Sequence, residues 1–324
     1  MVQVVLGAGG SMGKLLANEL KPYTDTVRLV SRNPVRVNND DELVAADLRD
    51  AAAVDSAVAG TAVAYLVAGL KYDHRVWEKD WPTIIRNVVD ACLKHGVKLV
   101  FFDNVYMYDV TEIAHMTEAS AMNPPSKKGK VRLEVVRFIE EAVSQRGLQA
   151  LIARSADFYG PGADNGILNQ LVLTPVSNGK KARWQADPHK VHSFTYTVDA
   201  AKATALLGNT DRAYGQVWHL PTSAERWTGE RYIAEACRLK GGKPSYSVLS
   251  RWMITLGGLF SRTIAELGEM QYQNDRDYFF DSRKFTEAFG FRPTGYEEGI
   301  RAVMALSAAP VADSTPAGGR PPAR

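Results

Sequence analysis

The chain has 324 residues, of which 45% are hydrophobic and 23% are charged. This length predicts two domains, or one large domain with an added lobe, and the composition excludes a largely disordered or fibrous protein. The formal net charge of +3 is too small to indicate nucleic acid or an anionic membrane as the main partner. Two cysteines, Cys92 and Cys237, cannot supply a disulfide framework or a structural zinc site, so a reducing compartment fits.

The sequence favours a cytoplasmic protein. Its first residues, MVQVVL, contain no cationic segment followed by a long apolar stretch, so we expect no signal peptide. The longest apolar-looking segment, residues 252–260, is too short and too interrupted by glycine to span a bilayer. We therefore expect no membrane partner.

Strand-like and helix-like segments alternate through the first half of the chain. Short apolar runs typical of buried strands lie at residues 2–6, 27–30, 43–46, 62–67 and 97–102. Helix-length segments such as 14–20 separate several of them, and 81–95 has apolar residues at helical spacing. An amphipathic helix at 130–143 and a strand at 148–153 continue the series. This alternation predicts an α/β fold with a Rossmann-type doubly wound parallel sheet.

The pattern loosens after Tyr159. We predict a Rossmann domain over residues 1–160 and a smaller mixed α/β lobe over residues 161–306. A late apolar run at 217–220 predicts a strand that returns from the lobe to the sheet. Alanine, proline and glycine dominate residues 307–324, which predicts a disordered tail.

A glycine-rich loop follows the first predicted strand. Gly7, Gly10 and Gly13 lie between that strand and the first helix, with Ser11 and Met12 among them. Glycine allows a tight turn and lets the backbone approach a pyrophosphate, which then rests at the positive end of the helix. A tight turn alone also needs glycine, but strand, glycines and helix in register predict dinucleotide binding.

The end of the second strand indicates which dinucleotide binds. A carboxylate there would hydrogen-bond the ribose hydroxyls, but this chain has Ser31 and Arg32, with Arg36 close behind. A guanidinium can hold a phosphate in a bidentate pair, so we favour NADP, with NAD as the alternative. A solvated surface arginine is the other interpretation of Arg32. Asp47 and Leu48, after the third strand, suit the adenine edge, although Asp47 could instead cap the next helix.

Five motifs taken together carry a family resemblance. They are Gly7-x-x-Gly10-x-x-Gly13, residues 46–48 (ADL), 154–162 (RSADFYGPG), 192–200 (HSFTYTVDA) and 289–300 (FGFRPTGYEEGI). With them the chain resembles the extended short-chain dehydrogenase/reductases, the NAD(P)-dependent epimerase/dehydratase family. The resemblance implies a Rossmann domain that carries a smaller C-terminal substrate lobe.

The resemblance also implies positions around the cofactor. The three glycines would line the pyrophosphate, and Asp47 and Leu48 the adenine. Val67 and Ala68, after the fourth strand, would pass under the cofactor ribose. Phe158 and Tyr159 would lie beside the nicotinamide.

The family's reaction centre is altered in this chain. The family uses a Ser or Thr after the fifth strand and a Tyr followed four residues later by Lys, and the tyrosine transfers the proton. Lys130 matches the lysine, but the tyrosine position holds Ser126 and the Ser/Thr position holds Asn104. Because a serine hydroxyl has a far higher pKa than a phenol, Ser126 cannot simply inherit the proton transfer.

Other residues could replace the missing phenol. Tyr106 and Tyr108 follow the fifth strand, and Lys128 could act as an acid if other cations depress its pKa. Asn104 could orient a carbonyl oxygen. The alternatives are packing roles for the tyrosines and a solvated basic helix start that includes Lys128 and Lys130.

The loop after the fourth strand is a candidate substrate wall. It contains Tyr72, His74 and Trp77 and lies at the carboxyl edge of the sheet. For His74 alone, an ordinary surface or core role is the alternative interpretation.

These features favour an NAD(P)-dependent oxidoreductase or an epimerase/dehydratase-like enzyme with an altered proton-transfer group. The substrate would be a small carbonyl or hydroxyl compound or a sugar nucleotide, whose diphosphate Lys180, Lys181, Arg183 and Lys190 could bind. The alternative is a non-catalytic dinucleotide sensor, which the loss of the tyrosine supports. We expect no nucleic-acid partner and no metal, and we leave a homodimer open.

Overall fold

Helices and strands follow the alternation of the sequence. The computed structural model describes residues 1–308, without the side chains of residues 251, 259, 263, 264, 307 and 308. The strands in chain order are β1 (Val2–Leu6), β2 (Thr26–Ser31), β3 (Glu42–Ala45), β4 (Val63–Leu66), β5 (Lys98–Asp103), β6 (Ala150–Arg154), β7 (Asp157–Tyr159), β8 (Ala182–Gln185), β9 (Phe194–Tyr196), β10 (Val217–His219) and β11 (Tyr246–Leu249). The helices are α1 (Ser11–Glu19), α2 (Ala51–Val58), α3 (His74–His95), α4 (Lys127–Arg146), α5 (Thr174–Ser177), α6 (Thr197–Gly208), α7 (Gly229–Leu239), α8 (Arg251–Phe260), α9 (Arg262–Gly268), α10 (Arg283–Phe289) and α11 (Tyr296–Ala308).

The central sheet has seven parallel strands in the order β3–β2–β1–β4–β5–β6–β10. The chain builds outward from β1 to β3, crosses back to β4 and continues to the other edge. The strand order therefore reverses between β1 and β4, and open α/β sheets bind ligands in the crevice at such a point. The predicted Rossmann-type fold is confirmed.

Helices cover both faces of this sheet. In β1, residues 4–6 have no exposed surface, because α2, α3 and α4 cover one face and α1 and α6 cover the other. The apolar stripe of α3 lies in the first of these two cores, through Ile84, Ile85, Val88, Val89 and Cys92. Burial on both faces explains why the strands appear in the sequence as continuous apolar runs and not as alternating ones.

Two helices begin earlier than the segments predicted at 81–95 and 130–143. Asp73 caps α3 and Ser126 caps α4, because each side chain accepts a hydrogen bond from an N–H group in the first turn. The first turns are polar or basic on their solvent side, so the apolar periodicity alone does not include them. The caps place the start of both helices at the carboxyl edge of the sheet.

The smaller lobe has two short parallel pairs, β7 with β9 and β8 with β11. Its core is rich in aromatic rings, namely Trp184, Phe194, Trp227, Tyr232 and Tyr296. The chain also returns to the Rossmann layers, since α6 packs against α1 and β10 pairs with β6. The strand predicted at 217–220 is this β10. The division at residue 160 stays a prediction, with parts of the second range built into the first.

The tail predicted at 307–324 begins too early, because residues 307 and 308 belong to α11. The rest of it, from residue 309, lies outside the described residues. Across residues 1–308 we find no helix with both the length and the apolar character that crossing a bilayer requires. The cytoplasmic location stays a prediction.

Candidate active site

The first glycine closes the turn where the strand order reverses. Gly7 has a φ of +92°, a region that favours glycine, and its N–H donates to the Val30 carbonyl at 2.9 Å. A Cβ at this position would lie 2.4 Å from the Cα of Ala68, in the loop after β4. No other residue fits there without moving backbone, so the loops after β1 and β4 meet at the crevice.

The other two glycines shape the start of α1. Gly10 is the N-cap residue and makes no side-chain cap, and the first N–H groups of a helix have no partner within the helix. A Cβ on Gly13 would lie 2.6 Å from the Cα of Ala8, so glycine lets α1 pack tightly against the turn. A Cβ on Gly10 would meet only the Gly7 carbonyl oxygen, at 4.0 Å, so the space beside these amides is open, as a pyrophosphate requires. The residues present therefore fit a dinucleotide.

Ser31 and Arg32 lie beside this loop. The Ser31 Oγ is buried without a hydrogen-bond partner among the described residues, and its Cβ is 3.6 Å from where a Gly9 Cβ would be. Arg32 is exposed. Arg36 instead donates to the carbonyls of Asn39 and Asp41, both at 2.7 Å, so it stabilises its own loop.

Asp47 does not cap a helix. Asp50 caps α2, since its carboxylate accepts from the N–H groups of residues 52 and 53. The helix-cap alternative for Asp47 is therefore wrong. Hydrogen bonds from Arg49, and to a smaller extent the charges of Arg49 and Arg32, lower the pKa of Asp47 to about 2. Leu48 is buried, and its carbonyl accepts from the Asn87 side chain at 3.0 Å.

The residues expected near the ribose and the nicotinamide lie in different parts of the fold. Val67 continues the β4 ladder by donating to the Leu6 carbonyl at 3.0 Å, at the crevice. Phe158 stacks on Phe102, with ring centroids 5.6 Å apart. Tyr159 is fully buried in the aromatic core of the lobe, where its ring packs beside those of Tyr196 and Tyr296. The loop after Tyr159 approaches the glycine loop, because a Cβ on Gly162 would lie 2.9 Å from that of Ser11. Met12, in the first turn of α1, packs into the hydrophobic core that this helix covers.

Three predicted residues form an aromatic group at the carboxyl edge of β4 and β5. The ring of Tyr106 stacks on Trp77 at 6.0 Å, and its hydroxyl lies 3.3 Å from that of Tyr72. The Asn104 side chain accepts from the Tyr106 N–H at 3.0 Å, which fixes this turn. Burial raises the pKa of Tyr106, and the Asp157 charge raises it further. The structure thus brings the predicted substrate wall and one predicted proton donor together.

Tyr108 lies elsewhere. It is fully buried, and its hydroxyl bonds His219 Nε2 at 2.6 Å and Arg154 at 2.7 Å. Burial raises its pKa to about 12, although Arg154 acts in the opposite direction. Both hydrogen bonds hold the phenol inside the protein, so the predicted catalytic role of Tyr108 is wrong.

Lys128 has carboxylates around it, contrary to the expectation of a lysine crowded by cations. It has no exposed surface, and its Nζ lies 2.6 Å from Glu266 and 2.7 Å from Glu269. The ammonium also lies 4.5 Å from the centre of the Tyr72 ring. We therefore assign Lys128 to an ion-pair cluster. Lys130, in contrast, is exposed on the same helix, as the solvated alternative predicts.

His74 belongs to the same ion-pair cluster. Its Nδ1 lies 2.7 Å from Glu266. Ligand atoms of Asp73, His74 and Glu266 all lie within 4.8 Å of one another, a spacing that a metal could use. Arg262 approaches Asp73 at 2.9 Å and Lys128 approaches Glu266, so cations of the protein already compensate these carboxylates. We propose no metal here.

Several polar residues of this region had no predicted role in the site. Asp103 ends β5 and is only 2% exposed, and it pairs with Arg132 at 2.7 Å and Arg154 at 3.3 Å. Asp157 lies 2.9 Å from His192, whose ring stacks on Tyr278 at 4.2 Å. Asp103, a carboxylate at the end of a buried strand, was a sequence signal for its ion pairs with the two arginines. The contact between Asp157 and His192 joins separate segments of the chain and has no such local signal.

Comparisons with known proteins agree with this architecture. The sequence model described as the NAD dependent epimerase/dehydratase family matches residues 3–219. A uronate dehydrogenase of Pseudomonas putida is 33% identical over 103 residues, which make up 31% of this chain and 38% of that protein. The matched region therefore spans less than half of the relative's length.

Solved structures of similar fold cover almost the whole chain. The UDP-glucose 4-epimerase of Thermus thermophilus, in complex with NAD, gives a TM-score of 0.76 at 19% identity and covers 96% of this chain and 100% of that one. The dTDP-glucose 4,6-dehydratase DesIV of Streptomyces venezuelae, with NAD bound, gives 0.74 at 17% identity, over 94% and 96%. At these identities the similarity establishes the fold.

Proposed function

The chain belongs to the NAD-dependent epimerase/dehydratase family, and from this membership we propose that it is an NAD(P)-dependent oxidoreductase acting on a small sugar-like carbonyl or hydroxyl compound. The observation that carries the proposal is the glycine turn at the crevice, where side chains are excluded at Gly7 and Gly13. The dinucleotide, when bound, supplies the hydride acceptor or donor. The local similarity to a uronate dehydrogenase supports a sugar acid as the first substrate class to test.

Different residues of the cleft would bind the dinucleotide and the substrate. The amides at the start of α1 would bind the pyrophosphate, and Ala68 would lie under the ribose. Phe158, held by its stack on Phe102, would limit the nicotinamide side of the cleft. Tyr72, Tyr106 and Trp77 would form an aromatic wall, and stacked rings of this kind suit the apolar face of a sugar.

The assay is direct. Purified protein is mixed with NAD or NADP and a panel of uronates and aldoses, or with the reduced forms and aldehydes or ketones, and nicotinamide absorbance is followed. We expect turnover on at least one sugar acid or related compound. Cofactor binding without turnover on any substrate would contradict the proposal and favour the dinucleotide sensor.

A nucleotide-sugar epimerase is the second candidate within the enzymes, supported by the fold of the solved relatives. Lys180, Lys181 and Arg183 would be its diphosphate ligands, and all three are exposed around β8. Its net redox change is nil, so product analysis of UDP-sugars and dTDP-sugars replaces the absorbance assay. Conversion of one of these sugars, with no oxidation of uronates, would select it over the dehydrogenase.

The preference for NADP yields a separate prediction. Replacing Arg32 by Ala is expected to weaken NADPH binding by about 10- to 100-fold, because a charge-assisted contact with the 2′-phosphate contributes about 1.5–3 kcal/mol. NADH binding should change little, since NADH lacks that phosphate. Arg137→Ala removes the same charge from an exposed position on α4 and serves as the control. Equal weakening of both dinucleotides by Arg32→Ala in a calorimetric titration would show that this arginine contacts no 2′-phosphate.

A further inference from the structure

Ser126, at the position of the family's tyrosine, caps a helix with its hydroxyl. Ser126 is buried, and its Oγ accepts a hydrogen bond from the Gly129 N–H at 3.0 Å as the cap of α4. The serine is also too short to extend from the helix start into the cleft as a tyrosine would. The reaction centre therefore lacks a phenol from its own helix.

The segment after α9, far from α4 in the sequence, carries a phenol and contacts the start of α4. The Glu269 carboxylate, just after α9, accepts hydrogen bonds from the N–H groups of Lys127 and Lys128. These contacts fix the segment that follows α9 against the start of α4. Tyr272 lies in the next turn, the short helix Gln271–Gln273.

The Tyr272 hydroxyl has no hydrogen-bond partner among the residues that the structure describes. Its oxygen is buried and makes no hydrogen bond of full geometry within the part of the chain that the structure describes. Burial raises the pKa of Tyr272 to about 12, and the nearby Ser126 hydroxyl is the strongest influence that lowers it. The ring packs against the same hydrophobic core as Tyr72 and Tyr106, the residues of the aromatic wall. A buried phenol without a partner among the described residues thus lies three residues after Glu269, in the segment that Glu269 fixes against the start of α4, where Ser126 is the N-cap.

We propose that Tyr272 is the proton-transfer residue of this site, replacing from the C-terminal segment the phenol that is missing at position 126. This inference rests on the proposed oxidoreductase function. In the reducing direction Tyr272 gives its O–H proton to the carbonyl oxygen of the substrate, while a hydride from the reduced nicotinamide dinucleotide adds to the carbonyl carbon. The C=O double bond becomes a C–O single bond, new C–H and O–H bonds form, the dinucleotide is oxidised, and the phenolate regains a proton from solvent.

The first test removes the hydroxyl and keeps the ring. Tyr272→Phe is expected to lower kcat by about 100- to 10,000-fold, the usual contribution of general acid catalysis, with the dinucleotide dissociation constant unchanged. Tyr278→Phe is the matched control, because Tyr278 lies in the same segment and also has a buried hydroxyl without a partner among the described residues. It should keep its activity. Adding Ser126→Tyr to Tyr272→Phe should restore part of kcat by returning a phenol to the helix position.

The second test needs no activity. Melting temperatures of Ser126→Ala, Tyr272→Phe and the double variant form a cycle, and the proposed proximity of the two hydroxyls predicts that the double loss is smaller than the sum by about 1 °C or more. Activity retained in Tyr272→Phe, loss confined to Tyr278→Phe, or strictly additive melting shifts would each overturn the inference. Failure of the proposed function is seen separately, as a wild-type protein that turns over no substrate.

Discussion

Gly7→Ala is expected to abolish measurable binding of either nicotinamide dinucleotide. The added Cβ would lie 2.4 Å from the Cα and 2.7 Å from the backbone nitrogen of Ala68, and the φ of +92° is unfavourable for alanine. The conformational term alone costs about 1–2 kcal/mol, and the clash displaces the two loops between which the pyrophosphate would lie. We expect the dissociation constant to rise by at least about 100-fold in a calorimetric titration, which corresponds to about 2.7 kcal/mol.

Gly60→Ala is the matched control for this prediction. Gly60 also has a positive φ, +73°, but a Cβ there would meet nothing within 4 Å. It should lower the melting temperature slightly and leave dinucleotide binding intact. If both variants bind the dinucleotide as the wild type does, the turn at Gly7 is structural only.

Asp103→Asn is expected to cause the largest loss of stability. Asp103 is the one carboxylate that pairs with both Arg132 and Arg154 among the described residues, and Arg132 and Arg154 are themselves 4% and 1% exposed. Removing its charge leaves two buried guanidinium groups without compensation, and breaking a buried pair in this way costs about 3–5 kcal/mol. We expect the melting temperature to fall by about 10 °C.

Asp211→Asn provides the comparison. Asp211 pairs with Lys98 at 2.6 Å, but its side chain is 92% exposed. Solvent screens an exposed pair, so this variant should melt almost as the wild type does. A similar small effect for Asp103→Asn would mean that the arginines find other partners or water.

Most of the fold could be predicted because its information is local. The apolar run of β1, the glycines after it and the stripe of α3 each reflect contacts within one strand–helix unit. Strands buried on both faces must be apolar throughout, and a parallel sheet needs helices between its strands, so the order of elements follows. The starts of α3 and α4 were less clear, because side-chain caps and not apolar spacing define them.

The reaction centre could be predicted only in part, because its contacts join distant segments. Lys128 was expected among cations, but it meets Glu266, 138 residues later in the chain. Tyr108 was expected at the cleft, but its hydroxyl bonds His219, 111 residues away. Tyr272 gave no signal at all, since nothing in its own neighbourhood resembles a known motif. Pairings of this kind depend on how the lobe folds back on the sheet, which periodicity does not encode.

The measurement that tests the central claim most directly is a titration of the wild-type protein with NAD, NADP and their reduced forms, followed by calorimetry and thermal unfolding. We expect saturable binding of one dinucleotide per chain. At about 100 times the dissociation constant, bound dinucleotide should add about 2.7 kcal/mol of stability and raise the melting temperature. No heat of binding and an unchanged melting temperature with all four compounds would contradict it.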